Sequence, residues 1–392
     1  MAELDPSTSG HRLTIDEKYH NTLDIEGFSH MMDSPSSCYK FYWLEAIVNL
    51  ISEGVSRTTF DEIINEMIAN AWYSVREYHI NLSGIYYGDK DALQRAVNRL
   101  AEVSGLAANA SKVEIKNKIK EYDKDLKEAK DQLIKMVPYR ALSGFLSKLD
   151  GYNGDDGIKR ITAYIELVNN ITVLPYTFGK SLALKKEVFF HPDWMKMIQD
   201  NTVPILGWIQ YKKLNWLQNN NPEVPGMIYK LTPMDATKRK LNAVRKLWDA
   251  IFELKPIKDV FTEEDIDCGN YDVDHFIPRN FVMNDELWNL MPMDPSLNSS
   301  KSDKLPKWKP FFKRFSYNQY QLYSLIHDEN YPGIHKLFVN CYKDNLHSIW
   351  ANKELYNPNN SIEKFEKVLE KNMRPVYDSA RRQGYELWTG RR

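Results

Sequence analysis

The chain is expected to be mainly α-helical with a small α+β part, on three observations. Apolar residues recur at three- and four-residue steps through much of its length. One stretch, residues 271–306, reads instead as two short strands and a helix. No apolar run reaches the length that crosses a bilayer, so no membrane association is expected. With 392 residues, 43% of them hydrophobic, there is room for several packed regions. Lys and Arg number 52 against 53 Asp and Glu, so any attraction to a polyanion must come from local patches rather than net charge. The first dozen residues are polar and acidic, without the basic start and apolar core of a secretion signal, and the cytoplasm is the expected compartment.

Residues 1–170 read as a helical region. Periodicity predicts helices over 39–51, 60–78 and 92–103, and Thr59 with Glu62 supplies a capping box for the second. A further long helix is predicted from Ser111, with Glu114 three residues on and Pro138 as the stop. Its apolar seam, Ile115, Ile119, Tyr122, Leu126, Ala129, Leu133 and Met136, suits either docking on the same chain or a dimerising coiled coil. Docking is favoured because three heptads are short for an independent coiled coil. Residues 171–234 change character, with short apolar pieces broken by Pro, Gly and Asn, and read as an irregular or strand-like connecting layer. His191, beside Pro192, reads as a turn residue there. A helix is predicted over 234–254, with Leu241, Val244, Trp248 and Phe252 on one face and Lys238, Arg239, Lys240, Arg245 and Lys246 largely on others.

The chemistry is concentrated in YDVDHFIPRNFVMNDELWNLMPMDPSLNSSKSDKLP, residues 271–306. Asp274 and His275 come first, Asn289 and Asn298 follow, and Lys301-Ser302-Asp303 closes the run. Hydrolysing a phosphodiester at neutral pH needs a base for the attacking water, and imidazole titrates in the right range, which makes His275 the candidate. Charge also builds on the phosphate and the leaving oxygen, so a hard cation on oxygen ligands helps. Asp274 and Asn298 could supply such ligands, leaving the rest of an octahedral shell to water and substrate.

These residues and spacings resemble an HNH nuclease, an H-N-N variant, and the closing Lys-Ser-Asp and proline are similar to those of the HNH domain of the CRISPR RNA-guided DNA cutter. The resemblance covers residues 271–306 and implies a ββα-metal fold, with strands over 271–277 and 288–293 and a helix from Pro295 or Ser296. It implies that His275 activates water, that Asn289 braces the inter-strand loop and orients the histidine, and that Asp274 and Asn298 bind Mg²⁺ or Mn²⁺. It further implies hydrolysis of DNA to a 5′-phosphate and a 3′-hydroxyl. Many HNH proteins also carry paired Cys-x-x-Cys zinc ligands, but Cys38, Cys268 and Cys341 form no such pair, so no structural zinc is expected.

After the motif, Lys301, Lys304, Lys307 and Lys309 form a basic strip where phosphate contacts are expected, and Trp308, Phe311, Phe312 and Phe315 suit a buried face. The organisation expected is a helical region over 1–170, the connecting layer over 171–234, a nuclease domain with a preceding basic helix over 235–316, and C-terminal helices over 317–392. The arginines of this last part, Arg374, Arg381, Arg382, Arg391 and Arg392, read equally as phosphate contacts or a solvated tail. One HNH site cuts one strand, so a double-strand break calls for a homodimer or two encounters. The expected role is restriction, anti-phage defence or mobile-element cutting, with the helical region or a regulatory partner restraining the site. The alternatives are a DNA-binding or scaffold protein with an inactive HNH fold, and an RNA-directed nuclease.

Overall fold

Local capping sets where several of the helices begin. The Phe60–Arg76 helix starts at a reciprocal box in which Thr59 Oγ1 accepts the Glu62 N–H at 3.3 Å while the Glu62 carboxylate accepts the Thr59 N–H at 3.0 Å. The computed structural model describes residues 13–33, 35–84, 91–154, 156–231 and 240–390. The segment read for a secretion signal, the start of the predicted 234–254 helix with Lys238 and Arg239, and Arg391 and Arg392 lie outside them. The fold is mainly helical with small sheets, and the chain divides into two compact units. One comprises Met1–Pro222 and Lys230–Pro233, the other Glu223–Tyr229 and Met234–Arg392. Among the described residues no helix is long and apolar enough to cross a membrane.

In the first unit the helices Tyr39–Ser52, Phe60–Arg76 and Ala92–Ser104 bury the apolar faces their periodicity assigns. The single long helix expected from Ser111 is two, Lys112–Glu121 and Asp123–Met136, broken at Tyr122 (φ −105°, ψ 25°). The break lets the first half lay Ile115 and Ile119 toward Phe60–Arg76 while the second packs Leu126 and Leu133 against Ala92–Ser104. It also seats the buried Lys130 ammonium between Asp61, at 2.8 Å, and Asp123. Ile115, Ile119, Leu126, Ala129 and Leu133 of the seam are thus buried within the chain, while Tyr122 is half-buried and Met136 is exposed.

The connecting layer is also more regular than expected. Strands Tyr176–Phe178 and Arg57–Thr59 flank Glu187–Phe190 in an antiparallel three-stranded sheet, but the helices Pro192–Asp200 and Thr202–Asn220 follow. Pro192 and Pro204 sit in first turns, where a missing N–H breaks no helical hydrogen bond, so they do not stop these helices. His191 is the N-cap of the first, its Nδ1 accepting the Asp193 N–H at 3.3 Å. The buried face of Thr202–Asn220 includes Lys213, paired with Glu45 at 2.9 Å, and this charge interrupts the apolar pattern.

In the second unit the predicted basic helix spans Asn242–Phe252 among the described residues. Strands Asp272–His275 and Leu290–Met293 pair antiparallel, Asp274 opposite Met291, and helix Pro295–Lys301 follows with Asp294 as N-cap. The Trp308–Ile326 helix leaves helical geometry at Lys309, the residue before Pro310, and buries Phe311, Phe312 and Phe315. Phe276 stacks on Phe315 at 4.6 Å. The Ile362–Arg382 helix and the parallel pairing of Leu305–Pro306 with Leu387–Trp388 close this unit's core.

Glu286, in the loop between the site's strands, is buried and accepts the His347 N–H at 2.9 Å, the Ser348 N–H at 3.1 Å and Trp288 Nε1–H at 3.1 Å. Glu286→Ala should therefore destabilise this unit by about 3 kcal/mol, since buried donors are left unpaired. Urea unfolding followed by tryptophan fluorescence measures it, and a loss below about 1 kcal/mol would mean that water replaces the carboxylate.

Candidate active site

A four-residue strand presents alternate side chains to opposite sides, so Asp272 and Asp274 share one side of Asp272–His275. That side meets helix Pro295–Lys301, on which Asn298 and Lys301 are one turn apart. Asn298 Nδ2 donates to Asp272 Oδ2 at 3.0 Å, and Lys301 Nζ donates to Asp274 Oδ2 at 2.7 Å. The result is a small patch of two carboxylates, one amide and one ammonium. Lys301 is 0% exposed and Asp274 8%, so the pair is held away from solvent. Burial pushes the Asp274 carboxyl up, but the Lys301 ammonium and nearby His275 outweigh it and hold the group below the ordinary carboxylate value.

His275 is directed to the inter-strand loop. Its Nε2 lies 3.0 Å from the Asn284 carbonyl oxygen and 3.2 Å from Asp285 Oδ1. Both are acceptors, so Nε2 carries a proton. Arg279 Nε donates to the same Asp285 oxygen at 3.3 Å.

Asn289, wholly buried, clasps the chain just past the strand. Its Oδ1 accepts the Ile277 N–H and its Nδ2 donates to the Ile277 carbonyl, both at 2.8 Å. The Phe276 N–H donates to the Asn289 carbonyl at 2.8 Å, so main chain and side chain hold the same corner.

The sequence-derived residues are thus brought into three linked clusters, Asp274 with Lys301, Asn298 with Asp272, and His275 with Asn284 and Asp285. Lys301 differs from the expectation of a phosphate contact on a surface, because its ammonium neutralises a buried carboxylate. Lys304 is half-buried, and Lys307 and Lys309 are exposed. Arg374 pairs with Asp378 at 2.9 Å, Arg381 donates to the Tyr385 carbonyl at 2.6 Å and Arg382 donates to Glu223 at 2.7 Å. Sequence reasoning passed over Asp272, although strand alternation with Asp274 pointed to it. Asp285 and Arg279 carry no such signal, since only the loop's path brings them to the histidine.

Asn289→Ala would strip both partners from Ile277 and should cost about 2–4 kcal/mol. Thermal and urea melts test this. An unchanged melt would mean that water replaces the amide at this corner.

No solved structure matches this chain. A family match reaches upstream of the motif to Asp259, whose carboxylate accepts the Phe261 N–H at 2.8 Å and the Asp294 N–H at 3.3 Å, tying the segment's start to the cap of the site helix. Residues 259–307 match the HNH endonuclease family, and that segment of the chain belongs to it.

Proposed function

We propose that this segment hydrolyses DNA phosphodiester bonds with His275 as general base and a divalent cation held by Asp274 and Asn298, with Asp272 beside them. Nucleases of this family act on nucleic acids and generally use divalent metal ions. The observation that carries the reading is the Asp274–His275 pair at the end of one strand, with the carboxylates of Asp272 and Asp274 and the Asn298 amide on one side and an acceptor-locked imidazole on the other. The donor set fits Mg²⁺ or Mn²⁺, since carboxylate and amide oxygens are hard ligands. Asp274 already seats a cation in the form of the Lys301 ammonium. When bound, the metal would supply charge stabilisation at the phosphate and leaving oxygen.

The chain's own groups do the rest. The Asn284 carbonyl and Asp285 fix the His275 tautomer, so that Nδ1 takes the proton of the attacking water. As the ring becomes cationic, the Asp285 carboxylate compensates the charge. Asn289 holds the corner that aims the ring. Lys304, Lys307 and Lys309 are proposed to meet the phosphate backbone. The His275 ring is 1% exposed, which favours the second reading, a nucleic-acid-binding protein with a silent site. Plasmid nicking by pure protein with Mg²⁺ decides between them, and parallel RNA digests separate DNA from RNA cutting. We place the activity in the cytoplasm, in restriction, anti-phage defence or a mobile element.

His275→Ala should lower cutting about 10²–10⁴-fold while DNA affinity stays near wild type, because a general base acts in the transition state. Affinity falling in parallel would make His275 structural. Activity should vanish with chelator, and Asp274→Ala and Asn298→Ala should each raise the metal concentration needed; full cutting in excess chelator would end the metal mechanism. Replacing Lys304, Lys307 and Lys309 with alanine should weaken binding to unrelated sequences alike, lowering the slope of log affinity against log salt by about one for each phosphate no longer neutralised. An unchanged slope would move the DNA path elsewhere.

A further inference from the structure

We infer that Lys301 competes with the divalent cation for Asp274, so that its buried ammonium sets how much metal the site requires. The inference rests on the proposal that Asp274 is a metal ligand. Lys301 Nζ is 2.7 Å from Asp274 Oδ2, the lysine fully buried and the aspartate nearly so. Lys301 lies one turn beyond Asn298 on the helix that faces Asp272 and Asp274, so the lysine and the proposed amide ligand approach from the same side. Two cations on one buried carboxylate repel strongly, because the surroundings screen them poorly. Loading the metal therefore breaks or loosens the Lys301–Asp274 bond, and the four-carbon stem of lysine lets the ammonium withdraw without moving the backbone. Without metal, the same bond spares the fold an unpaired buried carboxylate. Lys301 is thus a positioning residue that exchanges stability of the metal-free protein against affinity for the metal.

The full-length chain is titrated with Mn²⁺ in the absence of DNA by calorimetry, for wild type and Lys301→Met, and each is melted with and without Mn²⁺. Lys301→Met is expected to bind Mn²⁺ about tenfold tighter or more, the scale of one charge-assisted hydrogen bond that no longer has to break on loading. Its metal-free form should melt below wild type, and Mn²⁺ should raise its melting temperature by more than it raises that of wild type. If Lys301→Met is unfolded without metal, refolding in Mn²⁺ supports the inference, and failure to refold overturns it. Lys301→Met combined with Asp274→Asn is expected to recover the melt without metal and to lose the tightened binding; retention of tight binding overturns the inference. Wild type that binds Mn²⁺ as tightly as Lys301→Met, or more tightly, overturns the competition while leaving Asp274 a ligand. Absence of Mn²⁺ binding in wild type and Lys301→Met alike overturns the competition together with the proposed metal site.

Discussion

Two strands of four residues each bury too little to hold together in water, and the site is built around that weakness. The ribbon carrying Asp274 and His275 is clamped from several directions by buried polar side chains aimed at its backbone. Gln319, on the long Trp308–Ile326 helix, donates to the Leu290 carbonyl at 2.6 Å, occupying an acceptor on the outer edge of the second strand. Asn289 clasps the exit of the first strand, Glu286 pins the intervening loop to residues 347 and 348, and Asp259 reaches the cap of the site helix. In Asn289, Glu286 and Asp259 both polar atoms of the side chain are hydrogen-bonded, which is the condition for a buried polar group to stabilise rather than to cost.

The same dryness governs the chemistry. A carboxylate buried as deeply as Asp274 would tend to take up a proton, and the adjoining ammonium keeps it ionised. A histidine buried as deeply as His275 needs partners that define its tautomer, and the Asn284 carbonyl and Asp285 provide them. Site and scaffold therefore share their electrostatics, and a change to one partner is felt by both.

The helical unit follows a different logic, in which charges direct packing between apolar layers. Lys130 on Asp61, Lys213 on Glu45, and Lys112 and Lys116 on the buried Glu66 are pairs whose members lie far apart in sequence. Such pairs add little net stability but penalise alternative registers, because any slip leaves a charge buried alone. The continuous heptad seam over residues 115–136 does not yield one straight helix because its two halves face different neighbours, the first Phe60–Arg76 and the second mainly Ala92–Ser104.

Local chemistry by itself determined the capping boxes at Thr59 and Ser111, the aromatic face of the Trp308–Ile326 helix, and the strand-strand-helix order around Asp274, His275, Asn289 and Asn298. These features depend on spacing along the chain, where periodicity and capping act over a few residues. The burial of Lys301 on Asp274, the recruitment of Asp272 to Asn298 and of Asp285 to His275, the Tyr122 break and the Thr202–Asn220 helix were decided by the tertiary structure. In each of these a polar side chain or a proline took its meaning from a partner or a position in the fold. A lysine in the last turn of a helix reads as a surface cation until packing removes its water, and only the folded chain shows which carboxylate replaces that water.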